Sequence, residues 1–364
     1  MKAARLHEYD ENVSPGSLKI EEVDEPRIEG PLDVIVRIGA AGLCRTDIHV
    51  VEGQWKEIVG IELPYILGHE NAGWVEEVGS AVTNVEAGDA VVLHPLITCG
   101  LCRPCRAGSD MHCVAGVFPG IDSDGGFTEL LKTNARAVVK LPEGVEPKDV
   151  AAHTDAGLTA YHAVKKAQAV LYPGTRAVVI GAGGGLGHIG VQCLKVLTPA
   201  EIIAVDTEEE SLAFAKELGA DQTVKVENGK HVDTVLEMTE GMGAEAVLDF
   251  VVEFGAIDDG VAMLRPAGYY YVLGYGQNLD IPTIDIISTE INFIGNLVGT
   301  YNELSELMTL HAQGKVKLHT TTYPLDAADE AMQDLKNGDL QGRGILVPEN
   351  SSRLTNAEAA GFEV

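Results

Sequence analysis

Four cysteines lie close together in the stretch TCGLCRPCRAGSDMHC. Two two-residue spacers and a longer return allow their thiolates to converge on one ion, as a tetrahedral zinc site requires. A metal held by four thiolates has no position left for a substrate, so the sequence predicts a structural zinc site. Its predicted ligands are Cys99, Cys102, Cys105 and Cys113.

Two other uses of this cysteine cluster, disulfides and an iron–sulfur cluster, agree less well with the sequence. Disulfides suit a secreted chain, but the first residues, MKAARLHEYDENV, lack the apolar segment of a signal peptide. An iron–sulfur cluster typically has a shorter last spacer followed by proline, whereas Val114 follows Cys113. Structural zinc is therefore favoured.

A second set of candidate metal ligands combines a thiol, an imidazole and a carboxylate. These are Cys44, His69 and Asp155, which supply two anions and one neutral nitrogen. Three protein ligands leave one corner of a tetrahedral zinc ion open for water or substrate. The sequence thus predicts a catalytic rather than a structural zinc at this second set.

The hydroxyl and imidazole that follow Cys44 predict a route for a proton released by a group bound at this zinc. Thr46 can accept that proton and pass it through a ribose hydroxyl to His49, nearer to solvent. The alternative is that Thr46 caps a local turn and His49 is a surface histidine.

A glycine-rich loop, GAGGGLGHIG, follows the apolar run RAVVIGA and precedes a helix-length segment. Glycines allow the backbone to approach a pyrophosphate, and the following helix offers free N–H groups. Ala182 stands at the first position of the strict fingerprint, but the strand-loop-helix context still predicts a dinucleotide site. The candidate residues are Gly181, Gly183, Gly184, Gly185, Leu186 and Gly187.

Asp206 ends the next apolar run and can accept hydrogen bonds from a ribose hydroxyl pair. A 2′-phosphate would face Asp206 and the acidic run 208–210, with no basic residue nearby. NAD is therefore favoured over NADP, although high salt could screen this repulsion. The alternative is that Asp206 is only the N-cap of the following helix.

The elements that must position these residues fall into two classes. Short strand-like runs broken by Gly and Pro fill the first 150 residues, which is typical of a barrel-like β domain. From residue 156 strand and helix patterns alternate, which predicts a parallel sheet with helices on both faces. We expect a catalytic domain over 1–155 and 298–349, a dinucleotide domain over 156–297, and a polar tail over 350–364.

Composition limits the kinds of partner. A formal net charge of −29 disfavours nucleic acid, and no apolar stretch reaches the ~18 residues of a membrane span. We expect a soluble cytoplasmic protein. The acidity also suggests a halophilic surface, because dense counter-ions would screen the self-repulsion; a merely acidic protein is the alternative.

The sequence resembles the zinc-containing medium-chain dehydrogenases, and within them the alcohol dehydrogenases. The resemblance covers residues 1 to about 348 and rests on several motifs together. These are GLCRTDIH, LGHE, the four-cysteine cluster, the glycine-rich loop with Asp206, and GRGILVP. It implies a GroES-like β-barrel catalytic domain, a Rossmann domain of the doubly wound α/β class, and two zinc ions per subunit.

The resemblance also implies roles for single residues. Cys44, His69 and Asp155 would bind the catalytic zinc, with Glu70 behind the metal or transiently on it. Many members have cysteine at the position of Asp155, which leaves open whether Glu70 is the third ligand.

Further roles implied by the family concern cofactor and substrate. Arg45 and Arg343 would meet the cofactor pyrophosphate, unless they are solvated surface charges. Trp55 and His94 would line a substrate pocket for small alcohols, with core packing as the alternative.

We therefore expect an NAD-dependent alcohol dehydrogenase that forms a homotetramer or a homodimer. The nearest alternative is a polyol, sugar or threonine dehydrogenase with the same zinc chemistry. More distant alternatives are a zinc-free quinone or enone reductase and a non-enzymatic dinucleotide sensor.

Overall fold

The computed structural model describes residues 1–227 and 229–349, apart from the side chain of Ile58. The chain divides into two compact units. One unit contains residues 1–155, 300–313 and the chain from Leu318 onward, and the other contains 156–299 and 314–317. Residues 298–299 and 314–317 were expected in the catalytic domain, but the structure places them in the second unit. The predicted polar tail, 350–364, lies outside the described residues.

The first unit begins with short strands and three short helices. In chain order they are β1 (Lys2–Leu6), β2 (Leu18–Glu22), β3 (Asp33–Gly42), α1 (Arg45–Val51), α2 (Lys56–Val59), β4 (Tyr65–Ile66), β5 (Glu70–Val78), β6 (Ala90–Leu93), α3 (Arg103–Arg106), β7 (Leu130–Asn134) and β8 (Val138–Lys140).

The second unit alternates helices and strands. Its elements are α4 (Ala156–Ala167), β9 (Arg176–Ile180), α5 (Gly187–Leu197), β10 (Glu201–Asp206), α6 (Glu209–Glu217), β11 (Gln222–Lys225), α7 (Lys230–Met238), β12 (Ala244–Asp249), α8 (Ala256–Ala262), β13 (Leu264–Val272), α9 (Thr283–Thr289) and β14 (Asn292–Gly295).

The chain then returns to the first unit. It adds α10 (Tyr301–Ala312), β15 (Thr320–Pro324), α11 (Ala328–Asn337) and β16 (Arg343–Val347).

The first unit is built on a sheet with the order β15-β16-β3-β5-β6-β8, with β7 paired to β3, and a smaller sheet β2-β1-β4. Strand β3 is almost continuously buried, as expected for a strand with neighbours on both sides. Its side chains Val34, Val36 and Ile38 belong to a core that also contains Leu6 and Phe127. Burial of these side chains fixes β3, at whose carboxyl end the candidate metal ligands begin.

The second unit contains a parallel sheet with the order β11-β10-β9-β12-β13-β14. Val178, Ile203 and Val247 belong to its core. The chain winds outward from β9 to β11 and then returns to β12 on the other side of β9. This reversal creates a switch point between β9 and β12, and such points bind ligands at the carboxyl ends of the strands. No described helix is long and apolar enough to cross a membrane.

Candidate metal and cofactor sites

Strand pairing brings the first candidate ligands together. Strands β3 and β5 are antiparallel, and Gly42 at the end of β3 pairs with Glu70 at the start of β5. Cys44 follows Gly42 and His69 precedes Glu70, so both lie beside this pair. A side chain at position 42 would conflict with Glu70, because a Cβ there would lie 2.1 Å from its Oε2 atom. Glycine is therefore required where the ligand segments meet.

A buried hydrogen bond attaches Asp155 to the same place. The hydroxyl of Thr154 accepts the backbone N–H of Asn71 at 3.1 Å and donates to the Ala151 carbonyl at 2.8 Å. Asp155, the next residue, thus has its Oδ2 atom 3.4 Å from Nε2 of His69. Ligand atoms of Cys44, His69, Glu70 and Asp155 all lie within 4.8 Å of one another.

The electrostatics of His69 favour a cation at this cluster. Its Nδ1 atom lies 3.3 Å from Asp47, and the imidazole is almost fully buried. Burial alone would lower the pKa of His69, but the negative charge of Asp47 and the Asp155 carboxylate raise the pKa well above 6.5. Among the described residues, Nε2 of His69 has no hydrogen-bond partner of good geometry. A metal ion at Nε2 would satisfy this buried nitrogen, so the residues fit a zinc site.

Glu70 differs from the other three because it has a cationic partner. The Arg343 guanidinium donates to the Glu70 carboxylate, and both side chains are almost completely buried. Burial raises the pKa of Glu70 to about 7, although the charge of Arg343 acts in the opposite direction. Burial likewise opposes the charge of Arg343, but Glu70 and Cys44 raise its pKa above the ordinary value. The interpretation of Arg343 as a solvated surface charge is therefore wrong.

Helix α1 arranges the predicted proton route. Cys44 is its N-cap, and the Thr46 hydroxyl lies 3.6 Å from the Cys44 sulfur. His49 is one turn further and is buried, with Nδ1 3.1 Å from Glu52. The alternative that His49 is a surface histidine is wrong, because its side chain is buried. The carboxylate of Glu52 also accepts the side-chain amide of Gln54 at 2.7 Å.

The four-cysteine cluster forms a second possible metal centre. The sulfur atoms of the four cysteines all lie within 4.8 Å of one another. The Cys102 sulfur is 3.4 Å from that of Cys105 and 3.9 Å from that of Cys113, and all four thiols are free. These separations far exceed the ~2.05 Å of a disulfide bond. The disulfide interpretation therefore fails for this structure, while four convergent sulfurs fit a zinc ion.

Tight backbone contacts shape the glycine-rich loop. Gly181 has a φ of +74°, and a Cβ on Gly183 or Gly187 would lie 2.5 Å or 2.0 Å from other atoms of the unit. Gly184, Gly185 and Leu186 complete the turn, and α5 begins at Gly187. The loop is thus a close-packed strand-to-helix turn of the kind that receives a pyrophosphate.

Asp206 lies beside this loop at the end of β10. Its Oδ2 atom accepts the backbone N–H of Gly183 at 2.9 Å. Helix α6 begins at Glu209 with Glu208 as its N-cap, so the interpretation of Asp206 as that N-cap is wrong.

The remaining predicted site residues are Arg45, Trp55 and His94, and their surroundings do not identify a ligand. Arg45 is exposed in the first turn of α1. Trp55 is half-buried and packs against the core of the first unit. His94 is buried, with Nδ1 3.0 Å from the Leu96 carbonyl. The roles predicted for Arg45, Trp55 and His94 stay predictions.

Sequence reasoning missed several residues that hold the ligands in place. They are Gly42, Asp47, Asn71 and Thr154. Only Asp47 carried a signal, because an acidic residue three positions after an N-cap completes a capping box, and the Asp47 carboxylate indeed accepts the Cys44 N–H at 2.9 Å.

Comparison with known proteins places this architecture in a family. The model of the alcohol dehydrogenase GroES-like domain matches residues 30–143, and that of zinc-binding dehydrogenases matches 185–313. An NAD-dependent alcohol dehydrogenase of Sulfurisphaera tokodaii is 36% identical, with 96% of this chain and 100% of that protein covered. The chain belongs to the zinc-containing medium-chain alcohol dehydrogenase family. The predicted family and the predicted fold class are confirmed.

Other members of the family extend the comparison. The crystal structure of the alcohol dehydrogenase from Aeropyrum pernix has a TM-score of 0.91 and 48% identity, covering 96% of this chain and 100% of that one. A D-arabinose 1-dehydrogenase (NADP(+)) of Saccharolobus solfataricus is 32% identical over 95% of this chain and 97% of its own length.

Proposed function

We propose that this protein is an NAD-dependent alcohol dehydrogenase that interconverts a primary or secondary alcohol and its aldehyde or ketone. The observation that carries this proposal is the cluster of buried Cys44 and His69 with half-buried Asp155, beside which Glu70 is held by Arg343. A thiol, an imidazole and a carboxylate are a set of three protein ligands that leaves one corner of a tetrahedral zinc ion open. This catalytic centre and the structural four-cysteine cluster together correspond to two zinc ions per subunit.

Zinc at this cluster would supply the Lewis acidity that lowers the pKa of an alcohol, and NAD would accept the hydride. The protein residues do the remaining work. Asp47 orients His69 through Nδ1, which directs Nε2 toward the metal position. Arg343 holds Glu70 away from permanent ligation, so that the open corner stays available for substrate.

Proton release follows α1. The Thr46 hydroxyl, next to Cys44, receives the substrate proton, and His49 receives it one helical turn later. Glu52 holds Nδ1 of His49 at 3.1 Å and is partly exposed, so it fixes the imidazole at the end of the route nearer to solvent. Proton transfer by groups positioned in this way accelerates a reaction by about 10²–10⁴-fold.

The cofactor preference follows from charge. Asp206 lies at the glycine-rich loop, and Glu209 and Glu210 occupy the first turn of α6. A ribose hydroxyl pair can donate to Asp206, whereas a 2′-phosphate would be repelled. We assign the pyrophosphate to the loop from Gly181 to Gly187; Arg45 and Arg343 stay predicted cofactor contacts, and Trp55 and His94 stay predicted residues of the substrate pocket.

Assembly and environment complete the proposal. Strand β14 is an edge of the parallel sheet, and nearby α9 exposes Ile284 and Ile287. Edge strands and exposed apolar side chains are common means of subunit pairing, which supports a homodimer or homotetramer. The net charge of −29 supports a halophilic cytoplasmic setting.

A substrate panel tests the function. Primary, secondary and polyhydric alcohols and aldoses are each assayed with NAD and NADP, in dilute buffer and in molar KCl, on protein of measured zinc content. We expect simple alcohols with NAD to give the highest kcat/KM. A preference for an aldose with NADP would instead favour the sugar dehydrogenase alternative, and turnover of neither class would contradict the proposal.

A further inference from the structure

A buried carboxylate at the centre of the parallel sheet has no role in the chemistry described so far. Asp249 is the last residue of β12 and is completely buried. Its Oδ2 atom accepts the Tyr270 hydroxyl at 2.5 Å. Its Oδ1 atom accepts the backbone N–H groups of Val251 at 2.8 Å and Val252 at 3.0 Å. One side chain therefore connects β13 to the loop that follows β12.

This loop, residues 250–255, is called the switch loop here because it leaves the sheet at the switch point. Its backbone needs support, because Val252 has a φ of +57° and Phe254 a φ of +56°. L-residues avoid this region, and β-branched valine does so most strongly. The two hydrogen bonds to Asp249 come from Val252 itself and from the preceding Val251, so they hold the strained residue in place.

The switch loop also packs closely against the glycine-rich loop and its neighbours. A Cβ on Gly181 would lie 2.6 Å from the Val251 side chain, and one on Gly190 of α5 would lie 2.5 Å from the ring of Phe250. A Cβ on Gly274 would lie 2.6 Å from the Val251 carbonyl. The switch loop is thus one wall of the crevice at the carboxyl ends of β9 and β12.

The sheet order assigns the two walls to different halves of a dinucleotide. Asp206 ends β10, on one side of β9, while Asp249 ends β12, on the other side. A dinucleotide lies across the switch point, with its pyrophosphate at the glycine-rich loop. If Asp206 receives the adenosine ribose, the switch loop borders the nicotinamide half.

We propose that Asp249 is a positioning residue for the nicotinamide half of the cofactor, acting through the backbone of Val251 and Val252 and supported by Tyr270. This inference rests on the proposed NAD-dependent function. Asp249 touches no cofactor atom itself; it fixes the wall against which the nicotinamide ring is held.

Comparison of two ligands tests the proposal. NADH contains the nicotinamide half, and ADP-ribose lacks it. Dissociation constants of both are measured by titration calorimetry on the zinc-loaded protein. Asp249→Ala removes the side-chain oxygen that accepts the N–H groups of Val251 and Val252, and we expect it to weaken NADH about tenfold while changing ADP-ribose by less than about twofold.

Other variants make the test specific. Asp249→Asn keeps an oxygen for the two N–H groups and should restore NADH affinity to within about threefold of the native value. Tyr270→Phe removes only the hydroxyl and should weaken NADH about threefold without affecting ADP-ribose; it decides the question if Asp249→Ala fails to fold. Asp206→Asn is the matched control, because it should weaken NADH and ADP-ribose equally.

Two outcomes overturn different claims. Equal weakening of NADH and ADP-ribose by the Asp249 and Tyr270 variants, or no weakening by either, would overturn the assignment of Asp249. Failure of the native protein to bind both ligands would instead overturn the proposed NAD-dependent function.

Discussion

The guanidinium of Arg343 in β16 donates a hydrogen bond to the carboxylate of Glu70 at the start of β5, and the two side chains are 4% and 0% exposed. Two buried charges that neutralise each other stabilise a protein little, but the loss of one leaves the other unpaired in a medium of low polarity. This pair therefore holds Glu70 in place beside Cys44, His69 and Asp155.

Removal of one member of this pair should be more damaging than removal of both. Arg343→Gln should lower the free energy of unfolding by about 3 kcal/mol or more, because Glu70 loses its partner. The double variant Arg343→Gln with Glu70→Gln should recover a substantial part of that loss. Thermal unfolding midpoints of the native protein, the single variant and the double variant, recorded in one buffer, measure the loss and its recovery.

The partly exposed pair of Arg37 and Glu76 provides a matched control for the buried one. Arg37→Gln should cost less than about 1 kcal/mol, because solvent screens that pair. Equal costs for Arg343→Gln and Arg37→Gln would contradict the account of the buried pair.

Glu52 should govern the last part of the proton route. Glu52→Gln removes the anion beside Nδ1 of His49, so kcat for alcohol oxidation should fall about tenfold, with little change in KM for NAD. Stopped-flow measurement of proton release with a pH indicator follows this step.

Gln54→Ala is the control for Glu52, because it removes the side-chain amide that donates to the same carboxylate but keeps the backbone N–H that donates to the His49 carbonyl at 3.0 Å. It should keep kcat within about twofold of the native value. An undiminished rate of proton release in Glu52→Gln would remove Glu52 from the route.

The four-cysteine cluster should show unequal thiol reactivity once zinc is removed. Backbone N–H groups of Leu101 and Cys102 lower the pKa of Cys99 to about 6, whereas burial and the neighbouring Cys102 raise the pKa of Cys105 to about 12. The thiolate is the nucleophile. At pH 7.5 iodoacetamide should therefore modify Cys99 well before Cys105, and below about pH 6 the rate at Cys99 should fall.

Peptide mass spectrometry after timed alkylation measures this order. Zinc-loaded protein serves as the control, because coordinated thiolates are protected and none of the four should react. Rapid modification of the zinc-loaded cluster would argue against zinc at this site.

Asp206 should set the preference for NAD. Asp206→Gly removes a negative charge beside Gly183, so kcat/KM with NADP should rise about tenfold while that with NAD falls. Molar KCl should reduce the difference in kcat/KM with NADP between the native protein and the variant, because salt screens the repulsion between Asp206 and the 2′-phosphate. Unchanged kinetics with both cofactors would show that Asp206 does not contact the ribose.

Residue types and periodicity were sufficient for the general architecture. The alternation of apolar runs and helical segments predicted the parallel sheet, and the spacing of Cys99 to Cys113 predicted the sulfur cluster. Cys44, His69 and Asp155 were identified because thiol, imidazole and carboxylate have few common uses together other than metal binding.

The supporting contacts were not predictable, because they depend on strand register. The pairing of β3 with β5 contains two irregularities, between Ile35 and Val36 and between Ile38 and Ala40. Each shifts the residues that face one another, so the sequence did not indicate that Gly42 faces Glu70. The hydrogen bond from Asn71 to Thr154 joins residues 83 positions apart and carries no local signal.

Zinc content and activity of two matched variants test the central claim most directly. The part of the chain that the structure describes contains two candidate metal centres, so we expect native protein to bind two zinc ions per subunit. Asp155→Ala should retain only the zinc of the four-cysteine cluster and lose alcohol oxidation, whereas Glu70→Ala should retain both zinc ions. If Asp155→Ala kept both ions and full activity while Glu70→Ala lost one, the assignment of the ligands would be contradicted.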